Sequence, residues 1–222
     1  METFQIDEIP IIDDFDQTKH YMDKNHLTFY VHSDMRSNLA KDEPRLYHFT
    51  LSKLQKTLDV IDGLHASVVL HFGKTTNAGS LDNVIKRIHK LNIKKSGCQP
   101  YLLMENAAGQ GTELGSTLDD IRKFFEEVDL PIGFCLDTQH AFAAGLTRWD
   151  TFDLWDEIES IVKINLVHLN DSKVPFGKRV DRHENLKEGF IWKNKEEDFN
   201  DLLEFINEQK VDIILETEVF TF

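Results

Sequence analysis

Cysteine is scarce in this chain. Only Cys98 and Cys135 occur in 222 residues, far apart and without paired spacing. That excludes a disulfide framework and a thiolate zinc finger, and it fits a reducing compartment. Long apolar runs are missing too. None approaches the roughly 18 residues that span a bilayer, so no membrane partner is expected. Met1 to Asp16 is acidic and lacks the charged-then-apolar layout of a secretory or transit leader. The expected location is therefore intracellular (cytoplasm, nucleoid or virus-associated), not secreted. Linkers, low-complexity tracts and sequence repeats are absent, and residues 1–222 read as one domain. Positive charge is in deficit: 25 basic against 39 acidic residues give a net charge of −14. A broad, sequence-independent nucleic-acid binder is disfavoured unless a basic patch or bound cations reverse the field locally.

The chain does have apolar material for a buried core, 41% hydrophobic residues including 16 Phe. It falls in short runs: Leu27–Val31, Ser67–Leu70, Tyr101–Met104, Ile132–Leu136, Ile164–Val167 and Val211–Leu215. Each is hydrophobic on both faces, as buried parallel strands are. Between them run helical stripes, such as Tyr47, Leu51, Leu54, Leu58 and Ile61, or Leu81, Val84, Ile85, Ile88 and Leu91. Leu118, Ile121, Phe125 and Val128 form a third, with Ser116 as the expected N-cap, and Phe199, Leu202, Leu203 and Ile206 a last one. A further helix is expected around Asp14–Lys24. Strands alternating with helices predict an α/β fold with a parallel sheet.

The residues following the six runs are His32, His71, Glu105, Asp137, His168 and Glu216. One polar side chain at a strand end is usually a satisfied structural group. Six of six is a different observation, because C-terminal strand ends of parallel α/β folds converge on one face. Uncompensated carboxylates gathered there would repel one another and carry a large desolvation cost. His140 lies three residues past one strand end, and Asp181 and His183 lie two apart on one side of an extended segment. The nine candidate ligands are five imidazoles and four carboxylates. Since one zinc ion takes three or four ligands, nine suit two or three ions with a carboxylate such as Glu105 bridging. The set fits Zn²⁺ or Mn²⁺ and tilts toward zinc, and clustered divalent ions are a device for phosphoryl transfer. Lys173, Lys178, Arg179 and Arg182 would form a basic rim on the same loop. His20, His26, His48, His65 and His89 read as structural.

Three stretches resemble the signatures of the endonuclease IV family of zinc-dependent apurinic/apyrimidinic (AP) endonucleases. They are Met104-Glu105-Asn106-Ala107-Ala108-Gly109-Gln110-Gly111, Gly133-Phe134-Cys135-Leu136-Asp137-Thr138-Gln139-His140, and His168-Leu169-Asn170-Asp171-Ser172-Lys173 through Asp181-Arg182-His183. His32-Ser33-Asp34 and His71-Phe72-Gly73 resemble the two upstream histidine motifs. The resemblance implies a TIM-like (β/α) barrel, here lacking the family's first two strands and last helix. An open barrel of that kind would call for a protein partner or an oligomer to close it. It implies three zinc ions, with Mn²⁺ acceptable at one: the first on His32, His71 and Glu105, the second on Glu105, Asp137, His168 and Glu216, the third on His140, Asp181 and His183. It also implies a substrate, double-stranded DNA with abasic sites. A metal-bound hydroxide would cut the phosphodiester 5′ to the lesion, leaving a 3′-hydroxyl and a 5′-deoxyribose phosphate. Glu105 or Glu216 would orient or deprotonate the water, and Gln110, Arg182, Lys173 and Arg179 would meet the DNA.

The chain departs from the family pattern at several points. Gln139 replaces Cys, Ala107 replaces Thr, Phe72 replaces Pro, and Lys178 occupies a small-residue position. Met35 stands where members place an aromatic wedge, for which Met35 or Arg36 would substitute. None of these removes a ligand. Two other readings compete: a catalytically weak, metal-binding DNA-damage binder, favoured by Met35 and the missing strands, and a sugar isomerase or epimerase on a related barrel, disfavoured by the Asp181/His183 cluster.

Overall fold

The computed structural model describes residues 3–6, 10, 12–34, 36–75, 80–96 and 99–217, so Met35 and Cys98 lie outside the described residues. Among the described residues, eleven strands and seven helices follow in chain order: β1 (Thr3–Ile6), α1 (Phe15–Asn25), β2 (Thr28–His32), α2 (Pro44–Ile61), β3 (Ala66–His71), α3 (Ser80–Ile88), β4 (Lys95–Ser96), β5 (Gln99–Pro100), β6 (Leu102–Glu105), α4 (Leu118–Glu127), β7 (Ile132–Asp137), α5 (Thr138–Ala144), α6 (Asp153–Glu159), β8 (Ile164–His168), β9 (Asp171–Ser172), β10 (His183–Glu184), α7 (Glu196–Gln209) and β11 (Asp212–Ile214). Seven strands form one parallel sheet in the order β1-β2-β3-β6-β7-β8-β11. All six expected strands are in it.

The seventh strand corrects the expectation that the chain lacks both strands ahead of the one ending in His32. Thr3–Ile6 runs parallel to β2, in register from Thr3 opposite Thr28 to Ile6 opposite Val31. It also narrows the opening: Cα atoms of the two edge strands, β1 and β11, come within 8 Å of each other. Inside, the Tyr30 hydroxyl of β2 donates to Asp212 Oδ2 of β11 at 2.9 Å, bridging the two sides of the seam.

Helix boundaries follow from local chemistry. Asp14 caps α1 by accepting from the Gln17 N–H at 2.9 Å, and Pro44 opens α2, where its missing N–H costs no hydrogen bond. The cap of α4 is Thr117 and not Ser116: the Thr117 hydroxyl accepts from the Asp120 N–H at 3.2 Å. The helices lay their apolar stripes on the outer face of the sheet. Leu54, Leu58 and Ile61 of α2, Ile121 and Phe124 of α4, and Leu202 and Ile206 of α7 are each at most 5% exposed. Burying one such side chain stabilises the fold by about 1.5–3 kcal/mol. Phe72, which replaces the Pro of the resembled histidine motif, fits because it packs edge-on against Phe124 and over Gly115, where a Cβ would come within 2.2 Å of its ring.

The inner face of the sheet positions the site. Tyr30, Val69, Leu103, Cys135, Leu166 and Ile214, one from each strand of the seven-stranded sheet other than β1, form a separate buried cluster that fills the barrel. Side chains two apart on a strand share a face. Two residues beyond these six come His32, His71, Glu105, Asp137, His168 and Glu216. The strand pleat thus stacks the six polar groups as the next layer above the apolar filling, at the C-terminal mouth.

Candidate metal centre

Glu105 lies at the middle of this layer, 1% exposed. Its Oε2 is 3.3 Å from His32 Nε2 and 3.3 Å from His71 Nε2, and its Oε1 is 3.0 Å from His168 Nδ1 and 3.4 Å from His140 Nδ1. Burial pushes its carboxyl up, yet His71, His168 and His140 hold it well below the usual carboxylate range. Glu216 Oε2 approaches His168 Nδ1 at 3.1 Å, with Asp137 Oδ2 4.0 Å from the same nitrogen. Burial likewise raises Glu216, and His168 more than reverses it. Further out, Asp181 Oδ1 lies 3.3 Å from His140 Nε2 and 3.4 Å from His183 Nε2, and Asp137 Oδ2 lies 3.8 Å from His183 Nε2.

The structure therefore brings all nine sequence-derived ligand candidates together. Potential ligand atoms lie within 4.8 Å of one another in His32/His71/Glu105, in Glu105/Asp137/His168/Glu216 and in Asp137/His140/His183, with Asp181 beside the last two imidazoles. The residues fit divalent ions on two observations. The His183 Nε2 atom, which faces Asp137 and Asp181, is buried without a hydrogen-bond partner among the described residues. The imidazoles also present a free face while the opposite nitrogen is held: His32 Nδ1 bonds the Ser33 carbonyl at 2.8 Å and His140 Nδ1 the Asn106 carbonyl at 3.0 Å, which leaves each Nε2 for the cluster. Protons compete for the same nitrogens. Burial lowers His140 and His168, but Asp137, Asp181 and Glu105 raise the first, and the carboxylates of Glu216 and Glu105 raise the second, well above an ordinary histidine.

Supporting groups went unnoticed in the sequence. Asn170 Nδ2 donates to Asp137 Oδ2 at 2.6 Å and to Glu216 Oε2 at 3.1 Å, while its Oδ1 accepts from the Glu216 N–H at 2.9 Å. That bond places Glu216, two residues past the end of β11. Asn106 brackets the end of β7 through the Asp137 N–H at 2.8 Å and carbonyl at 3.0 Å. Asp171, fully buried, accepts from the N–H groups of Ser172, Gly189 and Ile191 at 2.7, 3.1 and 2.9 Å, closing the long excursion that carries Asp181 and His183. Cys135 is closer to the site than a cysteine-free ligand set suggests: its sulfur lies within 4.8 Å of ligand atoms of Glu105 and His168. Its place two residues before Asp137 was the available signal. Burial pushes its thiol up to about 12, so it remains protonated and a weak ligand.

The four residues expected to meet DNA lie on the same mouth. Lys173, Arg179 and Arg182 are exposed. Arg179 packs toward Gly109, and Arg182 donates to the Asp181 carbonyl at 2.6 Å. Gln110 uses its side-chain oxygen internally, accepting from the Asp181 N–H at 3.0 Å. Among the described residues no helix is long and apolar enough to cross a membrane.

The chain matches the xylose isomerase-like TIM barrel family over residues 2–221. That defines the class: a parallel barrel with its polar centre at the C-terminal strand ends. The probable endonuclease 4 of Natronomonas pharaonis is 34% identical over 171 residues, 72% of this chain and 60% of that protein. Its counterpart from Carboxydothermus hydrogenoformans is 34% identical over 196 residues, 84% of this chain and 68% of that protein. The crystal structure of endonuclease IV from Thermus thermophilus matches with a TM-score of 0.75 at 25% identity, covering 98% of this chain and 83% of that one. Within the class, the chain belongs to the endonuclease IV family. It spans 60% and 63% of the length of two curated relatives. A D-tagatose 3-epimerase-like protein shares the fold, with a TM-score of 0.72 at 18% identity and coverage of 98% and 82%.

Proposed function

We propose that this chain is a zinc-dependent AP endonuclease, hydrolysing the phosphodiester 5′ to an abasic site in duplex DNA and leaving a 3′-hydroxyl and a 5′-deoxyribose phosphate. One observation carries the reading: in a member of the endonuclease IV family, all nine imidazoles and carboxylates converge at the barrel mouth. His32, His71 and Glu105 would hold one ion, Glu105, Asp137, His168 and Glu216 a second, and His140, Asp181 and His183 a third. Zn²⁺ suits this imidazole-rich set, and Mn²⁺ is acceptable at one position. Ions bound there supply an acidified water and neutralise phosphate charge.

The chain's own groups do the rest. Glu105 is almost fully buried and shared between two clusters, which suits a bridging ligand. Glu216 has a side chain 20% exposed and is held ionised by His168. As the more accessible of the two carboxylates, it would orient or deprotonate the attacking water. Lys173, Arg179 and Arg182 supply the positive rim for the DNA backbone, with Gln110 beside them.

The test is incision of a duplex carrying one synthetic abasic site by metal-analysed protein. Cleavage 5′ to the lesion that is lost with EDTA and in Glu105→Gln is the expected result. Zinc-loaded, folded protein that leaves the duplex intact would overturn the reading.

A further inference from the structure

Asp181 sits outside any strand, on the excursion between β9 and β10, with its side chain 36% exposed. A ligand on such a segment needs its backbone held by something other than a sheet. The peptide group just before it, made of the Val180 carbonyl and the Asp181 N–H, is gripped from both ends. Gln139 Nε2 donates to the Val180 carbonyl at 3.1 Å, and Gln110 Oε1 accepts from the Asp181 N–H at 3.0 Å. The two glutamines come from different parts of the mouth, Gln110 from the loop after β6 and Gln139 from α5 after β7. Gln139 is fully buried and also donates to Ser172 Oγ at 3.3 Å, on the strand paired with His183.

We propose that Gln110 and Gln139 are paired positioning residues that set the orientation of the 180–181 peptide, and with it the Asp181 carboxylate of the third ion position. The inference rests on the metal reading of the site. The orientation of both amides follows from the peptide itself. A carbonyl can only accept, so Gln139 must turn its NH₂ toward Val180, and an N–H can only donate, so Gln110 must turn its oxygen toward Asp181. Ser172 Oγ gives its hydrogen to the Val174 carbonyl at 2.8 Å and so accepts from Gln139 Nε2, which fixes that amide independently of the peptide; a flipped 180–181 peptide would then turn its N–H toward the Gln139 NH₂.

The geometry couples this grip to the ligands. His140, the residue after Gln139 on the same helical turn, points Nε2 at Asp181 Oδ1, 3.3 Å away. One rigid element thus supplies an imidazole ligand and holds the backbone of the carboxylate opposite it. Groups that orient metal ligands typically change affinity by about 10–100-fold when removed. Gln139 stands where the family pattern has Cys, whose shorter side chain is only a weak donor. The two-sided grip is in that respect a feature of this chain.

Methionine matches glutamine in length and offers neither the amide donor nor its oxygen, so Gln139→Met and Gln110→Met are the informative variants. In EDTA-treated protein, exchange of the Asp181 amide hydrogen should quicken about tenfold or more in Gln110→Met and, through the released carbonyl, also in Gln139→Met. Gln110→Glu keeps an acceptor oxygen and should restore protection. In zinc-loaded protein, one ion per chain should leave at about 10–100-fold lower chelator concentration while the others stay. The double variant should fall short of the sum of the two singles, since both bonds act on one peptide. Unchanged amide exchange and zinc release in both variants would overturn the proposal. So would loss of all ions together with a matching fall in thermal stability, which marks a merely structural role. A parent protein that binds no zinc would refute the functional reading and the ion part of this one, while the amide exchange still decides whether the glutamines hold the peptide.

Discussion

His32, Glu105, Asp137 and His168 stand on strand ends and are at most 9% exposed, whereas Asp181 and His183 ride on an excursion where their side chains are 36% and 19% exposed. The two regions reach the same centre by different physics. On the strands, the pleat does the positioning: once Tyr30, Leu103, Cys135 and Leu166 fill the barrel, the residue two further on must point to the mouth. On the excursion a two-residue β9–β10 pairing sets His183 opposite Ser172, and the rest of the segment, Asp181 included, depends on single hydrogen bonds from Gln110, Gln139 and Asp171. The strand-borne floor is therefore over-determined, and the loop-borne wall is held bond by bond.

The largest effect should come from the floor. Glu105→Gln leaves the shape nearly unchanged but removes the charge shared by two clusters. Incision should drop by about 10³-fold or more, beyond the 10–100-fold typical of an orienting partner. The next largest belongs to the wall. Asp171→Ala strips three backbone N–H groups of their acceptor inside the protein, at roughly 1–3 kcal/mol each where water cannot replace it. Urea denaturation should show a loss of about 3 kcal/mol or more, and limited proteolysis should open the 173–190 segment first. An equally stable, equally resistant Asp171→Ala would break the contrast between the regions.

Asn170→Ala probes the junction, because Asn170 contacts Asp137 and Glu216 together. Affinity for the ion between them should weaken about 10–100-fold in a chelator competition, with the fold intact by circular dichroism. A smaller, graded effect is expected from pH. His140 and His168 are held protonated above the ordinary histidine range, and a proton on either must leave before that nitrogen binds metal. Zinc affinity should keep rising as pH climbs past 6.5, by about tenfold per unit for each proton displaced, and should fall as pH drops. A flat profile between pH 6 and 8 would show that the imidazoles are neutral in the metal-free protein.

The same contrast explains what could be read from the amino acids alone. The six strands and their terminal ligands were legible because a short, doubly apolar run followed by His, Asp or Glu is a local pattern. Thr3–Ile6 was not: it is a four-residue strand beside acidic residues, and only its pairing with β2 reveals it. The short α6, seven residues long, carried too little periodicity to stand out. Asp181 and His183 were found by residue type and spacing, but what holds them was hidden. Gln110 lies 71 residues from its partner Asp181, Gln139 lies 41 from Val180, and Asn170 lies 46 from Glu216. Such contacts exist only once the barrel brings its strand ends together. Phe72 illustrates the same point, since the space that admits it is made by Gly115 from a distant loop.

The most direct measurement is zinc per chain in the parent protein, His183→Ala and Glu105→Gln after dialysis against a weak chelator. The account predicts about three, about two and about one: the wall gives up its own ion alone, while loss of the shared carboxylate empties the floor. If His183→Ala lost every ion, or Glu105→Gln kept them all, floor and wall would not be the separate metal positions proposed for them.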